Sequence, residues 1–358
     1  MGGYWPLLSG GLVMGAKHNK CCCSAPAVIV YAGIMDIVGG LRKVGRVTAL
    51  DGPTGSLIGV LYTATEAISA IACDPTTGKI YITDSSSTAG VVKALNSSGG
   101  LLWTWTPGAT AALSGLAVAN DGYVYATSRT TGKVYKIDAS SGTEITSGWP
   151  YNPGSASLVC VCVDQSGNVF TGGRISSLPT AAMLTSSGSI VWSATIANVT
   201  PGALPIVNAI AVDAGGTELA IGIATSAVAG LSDCYKVDAA TGSINGSVYS
   251  SNLQQASAYS ATAIAYSYVG GAQDGSGYTV QKELAGYYKT FTNTVEGIAV
   301  ARDDTTYLGT QKGTGGTSNT HCVYSIEYGW THDEFDGITN KVCACIDTNH
   351  GRLGAFGL

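Results

Sequence analysis

Apolar and polar positions alternate with period two through most of this chain, in short runs that stop at Gly, Asn, Asp, Ser or Thr. That pattern predicts half-buried β-strands joined by tight turns. Ser114–Gly142 carries it most plainly. Strands are expected at Leu116–Ala119, Tyr123–Ser128 and Lys133–Asp138, and the turns Asn120-Asp121-Gly122 and Thr131-Gly132 hold residues that tolerate positive φ. Thr143–Trp149 can supply a fourth strand. Four strands in sequential hairpins make one blade of a β-propeller, and a lone blade cannot bury both faces, so the unit should recur.

Two motifs do recur. An innermost-strand motif, apolar–small–apolar followed by Asp, Ala or Ser, occurs at Ile71–Asp74, Leu116–Ala119, Val161–Asp164, Ile210–Asp213, Ile298–Ala301 and Ala344–Asp347, with a weaker copy at Ile264–Ser267. A third-strand motif occurs at Val47–Asp51, Val92–Asn96, Val134–Asp138, Ala181–Thr185, Cys234–Asp238 and Val323–Glu327, with a degenerate copy near Val280–Leu284. Each series counts seven, and the 273 residues from Ala72 to Cys345 give about 46 per repeat, a blade-sized period.

The phase of the two series predicts how the ring closes. The first third-strand motif precedes every inner-strand motif, and the last inner-strand motif has no third strand after it. Lys341–Gly357 and Val47–Leu61 should therefore share one blade, two strands from each end, which removes the free edges of an open ring. The expected fold is an all-β, seven-bladed propeller spanning 47–358 as a single domain, preceded by an N-terminal arm and lead-in over 1–46.

Composition changes the picture of the surface. Charged residues are only 11% of the 358, Gly numbers 49, and the turns are rich in Ser and Thr. A nearly uncharged, hydroxyl-rich surface costs less to desolvate than a charged one, which favours packing into a large assembly. A net charge of −5 offers nucleic acid no electrostatic footing. The longest apolar run, Ala25–Met35, is too short to span a bilayer as a helix. A secretory leader would place a basic residue ahead of its apolar run, whereas the first here is Lys17.

The arm, Met1–Ala27, concentrates Tyr4, Trp5, Leu7, Leu8, Leu12, Val13 and Met14 outside the repeats. Such bulky anchors in a Gly-punctuated segment suit docking, either along the chain's own ring or into a neighbouring subunit. Among ten cysteines, Cys162 and Cys345 stand where other inner strands carry Ala, which reads as compact apolar filling. Cys160 and Cys343 sit two residues earlier in the same phase. Cys21, Cys22 and Cys23 with His18 are a weak metal-ligand candidate, since they lack paired C-x-x-C spacing; no metal or other cofactor is expected. Reduced thiols and cytosolic assembly follow as expectations.

Insertions are expected at Ala197–Asn208 and in a polar connection, Ser243–Thr262. Tyr259, Tyr266, Tyr268, Tyr278, Tyr287 and Tyr288 form a Tyr-rich zone after it, which packs between blades or presents a sugar- or protein-binding patch such as one for a cell-surface glycan. Asn96-Ser-Ser, Asn198-Val-Thr and Asn245-Gly-Ser match the glycosylation pattern, as a Ser/Thr-rich chain does by chance.

Val134-Tyr-Lys-Ile-Asp-Ala-Ser-Ser-Gly142 and Cys234-Tyr-Lys-Val-Asp-Ala-Ala-Thr-Gly242 resemble the repeats of quinoprotein-like propellers. Leu95-Asn-Ser-Ser-Gly99 followed by Trp103, and Leu184-Thr-Ser-Ser-Gly188 followed by Trp192, are similar to the segments whose tryptophan locks blades in that family. Gly115–Tyr125 is similar to NHL-type repeats. The resemblance covers about 46–358 and implies fold; function does not follow from it.

The family's catalytic members are not matched residue by residue. Its quinone-dependent dehydrogenases carry eight blades and an adjacent-cysteine disulfide beside the cofactor, and here the adjacent cysteines lie in the arm. Lactonase-like propellers ligate calcium from the central tunnel, whereas Asp74, Asp164, Asp213 and Asp347 recur at a turn position that Asp fills routinely. His18, His321, His332 and His350 are scattered, and no nucleophile–base set can be assembled. The expectation is a non-enzymatic structural or binding module of a large particle, foremost a bacteriophage virion protein of the capsid-decoration, fibre or tail-adhesin class. The alternatives are a quinoprotein-like scaffold for protein–protein interaction and a sugar-acting propeller enzyme.

Overall fold

The computed structural model describes residues 29–38, 41–66, 68–74, 77–85, 90–108, 111–154, 156–196, 205–213, 215–224, 234–249, 256–259, 267–273, 277–282, 287–291, 294–300, 306–311, 323–325, 329, 331–332 and 343–347. Every regular element among them is a β-strand, and the strands form antiparallel sheets of four, with one sheet of three.

Taken in chain order, the first sheet comprises Ile68–Cys73, Ile80–Ser85, Gly90–Leu95 and Leu101–Trp105. The second comprises Leu113–Val118, Tyr123–Ser128 and Val134–Asp138. The third runs from Ala156–Val163 through Val169–Ile175 and Leu178–Leu184 to Ile190–Thr195. The fourth runs from Ile206–Val212 through Glu218–Ala224 and Cys234–Asp238 to Ile244–Tyr249. The fifth holds Ala256–Tyr259, Ser267–Gln273, Gly277–Lys282 and Tyr287–Phe291; the sixth, Thr294–Val300, Thr306–Gln311, Val323–Ser325 and Thr331–His332. In each of these the strands pair in sequence order, as successive hairpins require.

The seventh sheet breaks that order. Cys343–Asp347 pairs with Ile29–Val38, which is followed by Leu41–Asp51 and Leu57–Ala64. The two ends of the repeat region therefore meet in one sheet, by one strand from the C-terminal side and three from the N-terminal side. The two-plus-two division expected from sequence is corrected, because residues 29–46, grouped there with the arm, supply a strand and most of another. Ile29–Val38 is flanked on both edges, and Val30, Tyr31 and Ala32 are buried on both faces. A strand covered on every side carries no apolar–polar alternation and does not announce itself by period.

The third-strand motifs all fall on third strands of their sheets. The inner-strand motifs fall on first strands with one exception. In the fifth sheet the first strand is Ala256–Tyr259, and Ser267, the last residue of the weak Ile264–Ser267 copy, opens the second strand. The Ser243–Thr262 connection likewise contains the outer strand of the fourth sheet and the first strand of the fifth. Thr143–Trp149 forms no regular fourth strand in the second sheet; only single bridges, Ile137 to Glu144 and Val134 to Tyr151, reach that edge.

The turns explain why the third-strand motif ends in Asp, Asn or Thr. After Val134–Asp138, Asp138 Oδ1 accepts from Ser140 Oγ at 2.6 Å and from the Ser141 amide at 2.8 Å, while Gly142 donates to the Asp138 carbonyl with φ of +73°. The carboxylate folds the turn, and glycine takes the left-handed position that a Cβ would strain.

The core lies between sheets. Tyr31, Val47 and Ala49 of the seventh sheet pack on Ile68, Ile71 and Ile82 of the first. Ala72, Tyr81 and Ala94 of the first pack on Leu116, Val124 and Ile137 of the second. Ala117 and Tyr125 of the second meet Val161 and Val169 of the third. Cys162 and Phe170 of the third meet Ile210 and Leu219 of the fourth. First strands also touch in series through the fourth, fifth and sixth sheets, and Cys343–Asp347 touches both Thr294–Val300 and Ile68–Cys73.

Candidate interaction surface

Four of the outermost strands, Leu57–Ala64, Leu101–Trp105, Ile190–Thr195 and Ile244–Tyr249, share one construction. Where each follows its turn, the pairing register shifts as a β-bulge: between Ala49 and Leu50, Ala94 and Leu95, Met183 and Leu184, and Lys236 and Val237. The first residue past the turn then pairs with the bulged position, as Leu57 with Leu50, Leu101 with Leu95, Ile190 with Leu184 and Ile244 with Val237. A bulge lets consecutive residues escape strict alternation. Leu57 with Ile58, Leu101 with Leu102, and Ile190 with Val191 are accordingly exposed side by side, each near half of its full area, and Ile244 continues the series. Four sheets thus present large apolar side chains at equivalent places on an unpaired strand edge. An exposed edge carrying apolar residues is a template for association unless something covers it.

After two of these pairs, Leu101–Leu102 and Ile190–Val191, the next residue is a tryptophan that turns inward to lock the sheets. Trp103 Nε1 donates to the Ala139 carbonyl at 3.1 Å, and Trp192 Nε1 donates to the Ala239 carbonyl at 2.8 Å. These are the tryptophans singled out by the quinoprotein-like resemblance, and each reaches the turn of the following sheet.

Three lysines of the described part make their contacts within and between the sheets. Lys93 Nζ pairs with Asp84 and lies 5.5 Å from the Tyr62 ring centroid. Burial opposes its charge, yet the hydrogen bond to Asp84 holds its pKa above the usual lysine value. Lys136 sits in the equivalent motif without a carboxylate contact. Its Nζ lies 3.8 Å from the Tyr123 ring centroid and donates to the Ser186 carbonyl at 2.7 Å. Burial lowers its pKa, against the attraction of Asp121. Lys236 Nζ pairs with Glu218 at 3.1 Å.

Three of the recurrent aspartates, Asp74, Asp164 and Asp213, hold turns. Asp164 accepts from the Ser166 amide at 2.9 Å and the Asn168 amide at 2.8 Å; Asp213 accepts from the Thr217 amide at 2.6 Å and the Glu218 amide at 2.8 Å. Thr77 donates to Asp74 in the same way. Among the described residues no group of three or more His, Cys, Asp or Glu is gathered so as to hold a metal ion.

Cys160 and Cys162 are free, buried thiols whose pKa values burial pushes up. Cys73, in contrast, is disulfide-bonded, which corrects the expectation of uniformly reduced cysteines. The arm residues Tyr4, Trp5, Leu7, Leu8, Leu12, Val13 and Met14, and the Cys21, Cys22, Cys23 and His18 group, lie outside the described residues. So does Tyr266. The other tyrosines of the zone are distributed over all four strands of the fifth sheet: Tyr259 on the first, Tyr268 on the second, Tyr278 on the third, Tyr287 and Tyr288 on the fourth. Sequence reasoning missed the exposed pairs of the outer strands. Their signal was present in Gly-Ser-Leu57-Ile58, Gly-Gly-Leu101-Leu102 and Gly-Ser-Ile190-Val191, where two apolar residues follow a turn that alternation would pass with one.

Among solved structures, the chain is similar to hydrazine synthase of Kuenenia stuttgartiensis, a β-propeller-containing protein, at 13% identity and a TM-score of 0.54. The match covers 68% of this chain and 73% of that one. The likeness is one of fold. It agrees with the sheet-by-sheet resemblance to propeller blades. No family model and no curated protein sequence matches the chain. No described helix is long and apolar enough to cross a membrane.

Proposed function

We propose that this chain is a seven-bladed β-propeller, closed by strands from both ends of its repeat region, that works as a non-enzymatic structural and binding module of a large assembly. Closure is supported by the contacts of Cys343–Asp347 with the first strands of both the sixth and first sheets. The observation that carries the functional reading is the series of exposed apolar pairs on equivalent outer strands, set in a chain of only 11% charged residues. Covering the exposed half of such side chains against a neighbour gains roughly 1 kcal/mol each before ordering costs.

The form we favour is a bacteriophage virion protein, of the capsid-decoration, fibre or adhesin class, docked by its N-terminal arm to other structural proteins. Assembly in the host cytoplasm and a glycan-facing Tyr zone belong to the same proposal. The test is incorporation. Leu101→Glu with Leu102→Glu, and separately deletion of residues 1–27, should leave a folded ring that fails to enter the particle. Normal occupancy of both variants, with a wild-type protein that stays monomeric at high concentration, would overturn it.

A further inference from the structure

We propose that the disulfide partner of Cys73 is Cys345, so that one covalent bond clasps the first strands of the first and seventh sheets. Cys73 is oxidised, while Cys160 and Cys162 are free. The interface between the third and fourth sheets gives the template for what faces what. There Cys162 lies in hydrogen-bond reach of the Val212 backbone, and Cys160 Sγ donates to the Val207 carbonyl at 3.7 Å.

The repeat carries that template to the seam. Val161-Cys162-Val163-Asp164 aligns with Ala344-Cys345-Ile346-Asp347, and Ile210-Ala211-Val212-Asp213 aligns with Ile71-Ala72-Cys73-Asp74. The pair Cys162 and Val212 in one interface is therefore the pair Cys345 and Cys73 in the other. By the same alignment Cys343 takes the place of Cys160, and Ile68 the place of Val207.

Strand register agrees independently. Cys345 is the register partner of Tyr31, and Tyr31 belongs to the apolar cluster that contains Ile71 and Cys73. Cys343 is the register partner of Gly33, where an added Cβ would come within 2.9 Å of Ile68. Cys343 is thus placed toward the Ile68 end of that strand, and Cys345, two residues on, toward the Cys73 end. Cys343–Asp347 and Ile68–Cys73 are in contact, as a bond between them requires.

Forming the bond removes a proton and an electron from each thiol. The two electrons reduce a disulfide of the exchange-catalyst or small-molecule class to two thiols, so one S–S bond forms as another breaks. Cys345 is then a cross-link and not only the filler that its position in the alanine series suggests.

Non-reducing tryptic mapping of the alkylated full chain tests the pairing. Cleavage after Arg46, Lys79, Lys341 and Arg352 leaves Cys73 in 47–79 and both Cys343 and Cys345 in 342–352. The expected result is a linked pair of these peptides that persists in Cys343→Ala and is lost in Cys345→Ala. Should a variant fail to fold, fragmentation of the wild-type linked peptide between Cys343 and Cys345 locates the bond without mutation. Reductant should lower the thermal midpoint of the wild type by several degrees and leave the Cys73→Ala/Cys345→Ala double variant unchanged. Cys73 linked to any other cysteine, or alkylated without reductant, would overturn the pairing.

Discussion

Trp103 and Gly142 meet across the joint between the first and second sheets: a Cβ added to Gly142 would lie 2.8 Å from Trp103 Cδ2. Trp192 and Gly242 repeat the contact between the third and fourth sheets, with the equivalent distance at 2.7 Å. The glycine is required twice over, by its positive φ and by the indole ring resting on it. Gly122, also at positive φ, has open space around the same position and supplies the control. Gly122→Ala should cost about 1–2 kcal/mol from backbone strain alone. Gly142→Ala should cost at least about 1 kcal/mol more, because the indole must shift. Urea unfolding of the two variants checks the difference; equal losses would remove the locking role from Trp103.

The seam between the chain ends gives a second test. Deleting residues 341–358 removes Cys343–Asp347 and bares the Ile29–Val38 edge, with the buried Val30, Tyr31 and Ala32 beside it. The expected outcome is aggregation or a sharply lowered thermal midpoint, read by scattering and calorimetry. An unchanged midpoint would show that the strand adds nothing to closure.

Asp138 makes stability sensitive to acid. Hydrogen bonds from Ser140 and Ser141 to its carboxylate lower the pKa to about 2. A carboxylate depressed in the folded state contributes stability that is full above its unfolded pKa of roughly 4 and disappears as pH falls through about 2. Asp138 is partly exposed and solvent screens its carboxylate, so the effect is small. Comparing urea midpoints of wild type and Asp138→Asn at pH 6 and pH 2.5 should show a smaller acid loss in the variant. A parallel loss in both would assign the acid sensitivity elsewhere.

Cys162 is buried beside Phe170 in the core between the third and fourth sheets. Cys162→Ala restores the residue common at that position and should cost about 1 kcal/mol or less. Native protein should leave Cys160 and Cys162 unlabelled by thiol reagents until it unfolds, since burial both shields them and keeps them protonated. Rapid labelling in native conditions would contradict the packing.

The repeat was legible because turn chemistry is local. Asp138, Asn96 and Thr185 mark the ends of third strands through hydrogen bonds to residues a few places on, and such bonds leave a signature in sequence. Ile29–Val38 was not legible as a strand, because at Val30, Tyr31 and Ala32 burial on both faces removes the alternation that period-two reading depends on. The weak Ile264–Ser267 copy misled by composition: it has the motif's Ile and Ala, but the pairing of Tyr259 with Ser267 puts the first strand earlier. Thr143–Trp149 carries strand-forming residues, yet its edge makes only isolated bridges. The apolar pairs of the outer strands depend on a bulge, a register event that alternation alone cannot place.

The pairing of Ile29 with Asp347 has a temporal consequence. Ile29 leaves the ribosome more than three hundred residues before Asp347, and until then its strand lacks a neighbour on that side. Through that interval the nascent chain carries an apolar strand with one open flank, and every chain released prematurely keeps it open. Emergence of Cys343–Asp347 is what seals it. A cell therefore holds a simple chemical mark that separates chains that have reached Asp347 from shorter ones: only the shorter ones offer a bare strand to chaperones and proteases.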